Sequence, residues 1–381
     1  MTAISRLNYE FSNLKDSIHA NDVKKNVRQV KKPNRNKMNI VGNLRVGEKI
    51  PVNSTRQIII ATSWRSGSSF LGDLLNHYPG TFYYFEPLHY YSYVKDKSKV
   101  QTETNFFKSL LSCKFDGNNS GFLDHVMTPS HSFLFKRHNF RLWNSCQHFK
   151  SKEELCFSQD YLNLVCPLYP IRLIKSVRMR VSATEELLRN ADNVHVIVLV
   201  RDPRAVFSSR RSDRISSWCK QEHCSDPRVS CQDLSNDIKA SYELQKKFPG
   251  KIKLIRYEDL SLSPEETTRQ LLEFLDLPWH DAIGHYINTH TNIDLKKRQK
   301  NKDAKKMTLI HDPYGTTRNS TAAVYAWKDS LGFQDVLEIQ QVCREPMGEL
   351  GYRLITNETQ MISQEPTLEK TADEVWPFLH L

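Results

Sequence analysis

Arg56-Gln57-Ile58-Ile59-Ile60-Ala61-Thr62-Ser63-Trp64-Arg65-Ser66-Gly67-Ser68-Ser69-Phe70-Leu71-Gly72-Asp73-Leu74-Leu75-Asn76-His77 carries three local signals in one run. Gln57 to Thr62 is apolar and β-branched, as a buried strand requires. Arg65 to Ser69 is a Gly/Ser turn with one cation, and Phe70 onward takes up helical spacing. Small residues between a strand and a helix N-terminus let successive backbone N–H groups converge on an anion, and the helix dipole adds positive potential there. A nucleotide phosphate fits such a turn. A Walker loop would place a Lys before the helix Ser or Thr. Here the cation is Arg65, ahead of the Gly, so an ordinary ATPase is disfavoured. A plain strand-to-helix connection is the alternative reading of the pentapeptide alone.

A second unit repeats the layout. Val194 to Val200 reads as a fully buried parallel strand, and Arg201-Asp202-Pro203-Arg204 opens a helix with Asp202 as N-cap and Pro203 at its first position. Arg201 at the strand end and Ser209 two turns along the helix can reach one phosphate. The competing reading has Arg201 pairing with Asp202 or another neighbour. Lys251 to Tyr257 is a third strand, and Ser263-Pro264-Glu265-Glu266 spells a capping box ahead of a helix through Leu275. Arg172 to Lys175 and Thr81 to Phe85 complete the strand candidates. Repeated strand–helix pairs predict an α/β fold with a central parallel sheet flanked by helices.

The segments Ser63-Trp64-Arg65-Ser66-Gly67-Ser68-Ser69-Phe70 and Tyr83-Tyr84-Phe85-Glu86-Pro87-Leu88 resemble the 5′-phosphosulfate loop and the downstream Phe-Glu-Pro segment of Golgi carbohydrate 6-O-sulfotransferases. The Trp before the Arg is most similar to the GlcNAc-6-O branch, and the resemblance runs from about Arg56 to Arg353. It implies a P-loop-like sulfotransferase fold and transfer of a sulfuryl group from 3′-phosphoadenosine 5′-phosphosulfate (PAPS) to the 6-hydroxyl of GlcNAc, Gal or GalNAc in a glycan. It assigns Arg65, Ser66, Gly67, Ser68, Ser69 and Phe70 to the 5′-phosphate side of the donor, and Arg201 and Ser209 to the 3′-phosphate. Arg318 and Ser320, before Tyr325-Ala326-Trp327, resemble the stretch that closes over the donor. Glycosylation of Asn319 would exclude it from that role. Arg256 and Asp259 are taken as structural.

Chemistry then directs the remaining assignments. Negative charge grows on the 5′-phosphate as the S–O bond breaks, so Arg65 and the N–H groups of Gly67 to Ser69 are the stabilising groups. Glu86, at the end of an apolar strand, is expected as general base, with a pKa raised by its aromatic surroundings; a capping or ion-paired carboxylate is the alternative. His89 is the second candidate base. Lys175, at its strand's end, is a candidate for the bridging oxygen or sulfonate, or else a surface lysine. Tyr83, Tyr84, Tyr90, Tyr91 and Tyr93 are read as a sugar platform shared with core. No metal is called for.

The 381 residues divide into a basic tail or stem at 1–55, a sulfotransferase domain at 56–355 and an extension at 356–381, whose Val375-Trp376 is expected to dock back on the domain. Net charge is +11, partly from the tail and partly from Lys296 to Lys306, read as a surface loop that is either solvated or gathers anions. The basic runs lack interleaved aromatics, which argues against nucleic acid. Eight cysteines and four glycosylation sequons, at Asn53, Asn118, Asn319 and Asn357, point to disulfides and a lumenal compartment. Zinc at Cys219, Cys224, Cys231 and His223 is the weaker reading. No stretch approaches the roughly 18–20 apolar residues of a membrane span, so the anchor that the resemblance implies is expected to lie outside this sequence, a cytosolic enzyme being the alternative. Competing functions are a P-loop nucleotide kinase and a catalytically inactive, basic glycan-binding protein.

Overall fold

A computed structural model describes residues 55–91, 95–116, 120–140, 142–143, 156–212, 219–291, 316, 319–363 and 367–377. The basic tail, Tyr93, Asn53, Asn118, the 296–306 cluster and Arg318 lie outside the described residues.

Five strands form one parallel sheet: β1 (Arg56–Thr62), β2 (Thr81–Phe85), β3 (Ile171–Ser176), β4 (Val194–Val200) and β5 (Ile252–Arg256), in the order β2-β3-β1-β4-β5. The helices that position the site are α1 (Ser68–Asn76), α2 (Val100–Leu111), α3 (Ser120–Met127), α4 (Pro129–His138), α5 (Pro203–Arg211), α6 (Pro227–Lys247), α7 (Tyr257–Leu262), α8 (Pro264–Phe274), α9 (Asp281–Thr291) and α10 (Ser320–Tyr325).

The sheet is covered on both faces, which is why its strands read as continuous apolar runs. Side chains alternate across it. Ile59, Ala61, Val196 and Val198 join one core with Phe107 and Leu110 of α2 and Ile238 of α6. Ile58, Ile60, Ile197 and Leu199 join the other with Leu71 and Leu74 of α1, Leu271 of α8 and Ile283 of α9. Each of the Val, Ile, Leu and Phe side chains among these contributes about 1.5–3 kcal/mol when taken from water.

Strand order fixes where a ligand can sit. From β1 the chain crosses towards β2, whereas from β4 it crosses to β5 on the opposite side, so the connections part company between β1 and β4. At such a switch point the loops beyond the strand C-termini leave a crevice. The β1–α1 turn and the β4–α5 turn flank it.

Asp202 caps α5 as expected, its Oδ1 accepting from Arg204 N, with Pro203 at the first position. The capping box at Ser263 does not form. The Ser263 N–H already bonds Asp259 O at the end of α7, so Glu266 has no free cap donor to take. Disulfides join Cys113 to Cys166, Cys219 to Cys224 and Cys231 to Cys343, which replaces the zinc reading at three of its ligands. Val375 and Trp376 are buried, Trp376 stacking on Tyr242 at 5.1 Å while Tyr242 Oη donates to Val375 O.

Candidate active site

The β1–α1 turn is built as an anion cradle. Gly67 is the N-cap of α1 with φ 86°, and no side chain caps the helix, leaving its first N–H groups for a ligand. Only glycine fits: a Cβ on Gly67 would stand 2.2 Å from Tyr257 Cδ2. Arg65 also holds a positive φ of 71°, a strain that persists where the surroundings over-determine the backbone. Ser66 is buried, its Oγ 2.8 Å from Ser63 Oγ. Ser68 is buried and Ser69 and Phe70 half-buried, the Phe70 ring 5.8 Å from Tyr286.

The β4–α5 turn meets this cradle directly. Arg65 Nε donates to Ser209 Oγ at 2.9 Å, and Arg201 Nη1 donates to Arg65 O at 2.9 Å. Arg201 does not pair with Asp202. Its other nitrogen donates to Ala323 O of α10, and its guanidinium lies 4.3 Å over Tyr257. Asp202 is instead held by Arg204. Ser320 begins α10 and donates to Ser261 O, whereas Asn319 caps that helix by accepting from Ala322 N. Arg65, Arg201, Ser209 and α10 therefore converge on the switch point.

On the other side of β1, β2 and β3 end in register, Phe85 opposite Lys175. Glu86 follows with φ 51°, and its N–H bonds Lys175 O. Lys175 is buried at 4% exposure and donates to Glu86 Oε1 at 2.8 Å, so it is no surface lysine. Arg178 Nη1 donates to Oε2 at 3.0 Å, and the Val177 N–H reaches both oxygens. The expected rise in the Glu86 pKa does not occur. Burial opposes ionisation, but Lys175, Arg178 and the Val177 N–H together hold the carboxyl below its usual range. Burial lowers Lys175 in turn.

Beside this ion cluster lies a cavity of about 530 Å³, whose wall includes Trp64, Phe85, Glu86, His89, His125 and Arg178. Arg178 stacks 5.3 Å from the Trp64 ring, and Trp64 packs on the Cys219–Cys224 disulfide. Tyr84, Phe122 and Phe135 are the other aromatics there. Of the expected tyrosine platform, Tyr84 lines the cavity, Tyr83 is fully buried core and Tyr90 and Tyr91 are half-buried, while Trp64 and Phe85 add their rings to the cavity wall.

Arg178 and Arg210 were not singled out from sequence. Arg178 stands three residues after Lys175, past the end of β3 and outside the motifs quoted from the sequence. Arg210 is buried and donates to Trp64 O and Cys224 O, bracing the cradle from below. Burial lowers its pKa to about 9. Arg256 and Asp259 form a bidentate pair away from the cavity, as structural residues would. Among the described residues no group of His, Cys, Asp and Glu gathers as metal ligands would.

The cradle's sequence context matches known proteins. Mus musculus carbohydrate sulfotransferase 1 is 27% identical over 371 residues, covering 85% of each chain. Mus musculus carbohydrate sulfotransferase 4 is 28% identical over 330 residues, covering 77% of this chain and 81% of its own. Among solved structures, the sulfotransferase domain from the curacin biosynthetic pathway is 16% identical with a TM-score of 0.40, covering 80% of this chain and 100% of that one. The pattern of the sulfotransferase family spans residues 57–281, from β1 into α9 and across both the β1–α1 and the β4–α5 turns, and the chain belongs to that family.

Proposed function

We propose that this chain transfers a sulfuryl group from PAPS to the 6-hydroxyl of GlcNAc, Gal or GalNAc in a glycan. The observation that carries the reading is the meeting of Arg65, Arg201 and Ser209 at the switch point, next to an aromatic cavity entered by Lys175. Arg65 and the N–H groups of Gly67 to Ser69 take the 5′-phosphate. Arg201, Ser209, Arg318 and Ser320 take the 3′-phosphate side. Arg never deprotonates, so these groups stay positive while charge builds on the leaving phosphate. Lys175 faces the transferred group, held in place by Glu86.

Transfer needs positioning and charge stabilisation more than covalent help from the protein. Trp64, Phe85 and their neighbours offer the ring faces on which a sugar stacks. The named relatives act on carbohydrate, which favours a glycoprotein or glycosaminoglycan acceptor. Three disulfides among the described residues suit an oxidising compartment, and we assign the enzyme to the Golgi lumen. No helix among the described residues is long and apolar enough to cross a membrane.

The test is transfer of radiolabelled sulfate from PAPS to a panel of GlcNAc-, Gal- and GalNAc-terminated oligosaccharides, with wild type and Arg65→Ala side by side. Incorporation that Arg65→Ala abolishes supports the reading and names the sugar. Thermal stabilisation by ATP but not by the product 3′,5′-adenosine bisphosphate (PAP) would favour a kinase. Stabilisation by PAP without labelling of any sugar would favour an inactive glycan binder.

A further inference from the structure

From the cradle helix α1 a line of side chains leads to Lys175. Asp73 is a buried residue of α1, and His138, the last residue of α4, is buried beside it with Nδ1 2.8 Å from Asp73 Oδ1. The His138 ring stacks on Phe85, the centroids 4.1 Å apart and the planes within 7° of parallel. Lys175 Nζ lies 3.9 Å from the centre of that same Phe85 ring and 2.8 Å from Glu86 Oε1.

The backbone around His138 is pinned at two points. Asn76 Nδ2 of α1 donates to His138 O at 2.7 Å. Asn139 bonds β2 as a further strand would, its Nδ2 donating to Tyr83 O at 2.6 Å and its Oδ1 accepting from Tyr83 N at 3.1 Å, at the edge of the sheet that β2 forms. Helix α1 also presses on β2 there, since a Cβ on Gly72 would stand 2.0 Å from Tyr83 Oη. We infer that His138, oriented by Asp73, is a positioning residue for Lys175 that acts through the Phe85 ring. The inference rests on the sulfotransferase reading, in which Lys175 faces the transferred group.

A lysine ammonium is a point charge on a flexible stem, and its bond to Glu86 restrains it at one point. The face of an aromatic ring attracts a cation, so a ring that cannot tilt supplies a second point. The parallel imidazole fixes the plane of Phe85, and the bond to Asp73 fixes the plane of the imidazole, which is how a side chain near a reacting group is locked from behind. Because α1 also opens at the phosphate cradle, the line sets the lysine relative to the donor. Charge acts in the same direction. Burial lowers the Lys175 pKa, Glu86 opposes that, Arg178 adds to it, and the charge of Asp73 again opposes it. Among the described residues, the charged and titratable groups around the line are Glu86 and Arg178 at the cavity and Asp73, His77 and Tyr83 at α1, His77 Nδ1 lying 2.7 Å from Asp73 O.

The experiment measures sulfate transfer from PAPS to the same oligosaccharide panel for wild type, His138→Ala, His138→Phe and Asp73→Asn, with kcat followed into the alkaline range and the rise in melting temperature that PAP produces recorded alongside. His138→Ala should lose on the order of 10–100-fold in kcat, the scale of a small misplacement of a reacting group, while the KM for PAPS and the PAP-induced rise stay at their wild-type values. His138→Phe restores a flat ring against Phe85 without the bond to Asp73 and should recover part of that loss. Asp73→Asn keeps an acceptor for His138 Nδ1 but removes the charge, so Lys175 should lose its proton at lower pH and the alkaline limb of kcat should move down with it. Wild-type kcat in His138→Ala overturns the inference, as does an alkaline limb that Asp73→Asn leaves in place. A kcat loss in His138→Ala accompanied by loss of the PAP-induced rise also overturns it, because the ring would then support the donor site and not the lysine. Should His138→Ala fail to fold, the Asp73→Asn limb decides alone. If wild type transfers sulfate and Lys175→Met does so equally well, Lys175 has no part in the reaction and the inference falls with that assignment. A wild type that neither transfers sulfate nor responds to PAP defeats the sulfotransferase reading itself.

Discussion

Arg65 Nε and Ser209 Oγ, 144 residues apart in sequence, stand 2.9 Å apart and join the turn after β1 to the second turn of α5. With Arg201 donating to Arg65 O, the two turns form one continuous cationic wall. Ser209→Ala should therefore disturb both ends of a bound donor. The expected effect is a PAP affinity about 10-fold weaker by calorimetry, the scale of one hydrogen bond to a charged group. Arg65→Ala should cost on the order of 100-fold or more in transfer rate. Arg65→Lys should not restore it, because a lysine lacks the planar fork that reaches Ser209 and an anion together.

Glu86 neutralises two buried cations at once, and Glu86→Gln leaves Lys175 and Arg178 without that charge. Removing one partner of a buried pair costs about 3–5 kcal/mol, so melting temperature at pH 7 should drop by several degrees. The pH dependence follows from the direction of the shift. Glu86 titrates below its ordinary 4.5 in the folded chain, so its contribution is present above that value and is lost as pH falls through the folded pKa. The gap between wild type and Glu86→Gln should be widest at pH 7 and narrow under strongly acid conditions. A gap independent of pH would mean that the carboxylate's charge does not hold the cluster.

Gly67→Ala tests the cradle without touching a charge. The new Cβ would meet the Tyr257 ring, over which Arg201 lies, at a backbone φ of 86° that side chains rarely adopt. Displacing Tyr257 would move Arg201 with it. Strain of this kind costs on the order of 1–3 kcal/mol, and PAP should no longer raise the melting temperature. Retained PAP binding in a folded Gly67→Ala chain would place the donor elsewhere.

All five strands were legible because a parallel sheet covered on both faces forces apolar runs, and the β1–α1 and β4–α5 turns follow two of them in plain view. The chemistry at those turns was less legible where it depends on distant partners. The surroundings of Glu86 look aromatic along the chain, but in space it meets Lys175 and Arg178, which come 89 and 92 residues later. Their charge reverses the expected direction of its pKa. His125 had no local signal at all: it sits in α3 and joins the cavity wall only when that helix packs beside the 3-10 helix Pro87–Tyr91 that follows β2. Ser263 failed as a cap for a related reason, because the neighbouring helix α7 had already used its N–H.

The three disulfides among the described residues should separate stability from activity. Cys231–Cys343 and Cys113–Cys166 close segments of 112 and 53 residues. Loop-closure entropy gives each about 4–5 kcal/mol, so replacing either pair with Ala should lower the melting temperature strongly. Cys219–Cys224 spans 5 residues and constrains the unfolded chain least, yet it backs Trp64, and Arg210 ties Cys224 O to Trp64 O. Cys219→Ala/Cys224→Ala should fold with a small change in melting temperature and a raised KM for the oligosaccharide acceptor, with the KM for PAPS altered less.

Glu258 lies beneath the β4–α5 turn. Its Oε1 accepts from the Asp202 N–H and its Oε2 from Tyr352 Oη, with no exposure to water. Burial, then the charge of Asp202, raises its pKa to about 7. A carboxyl raised in the folded state stabilises the fold when protonated, and that advantage fades as pH climbs from the unfolded value of about 4.3 through the folded one. Glu258 therefore makes the wild type progressively less stable between about pH 5 and pH 8 than its other groups alone would. Glu258→Gln cannot ionise, and its amide can still accept the Asp202 N–H while donating to Tyr352 Oη. Its melting temperature, scanned from pH 5 to pH 8, should decline less steeply than that of the wild type. Parallel curves would mean that Glu258 does not titrate in this range.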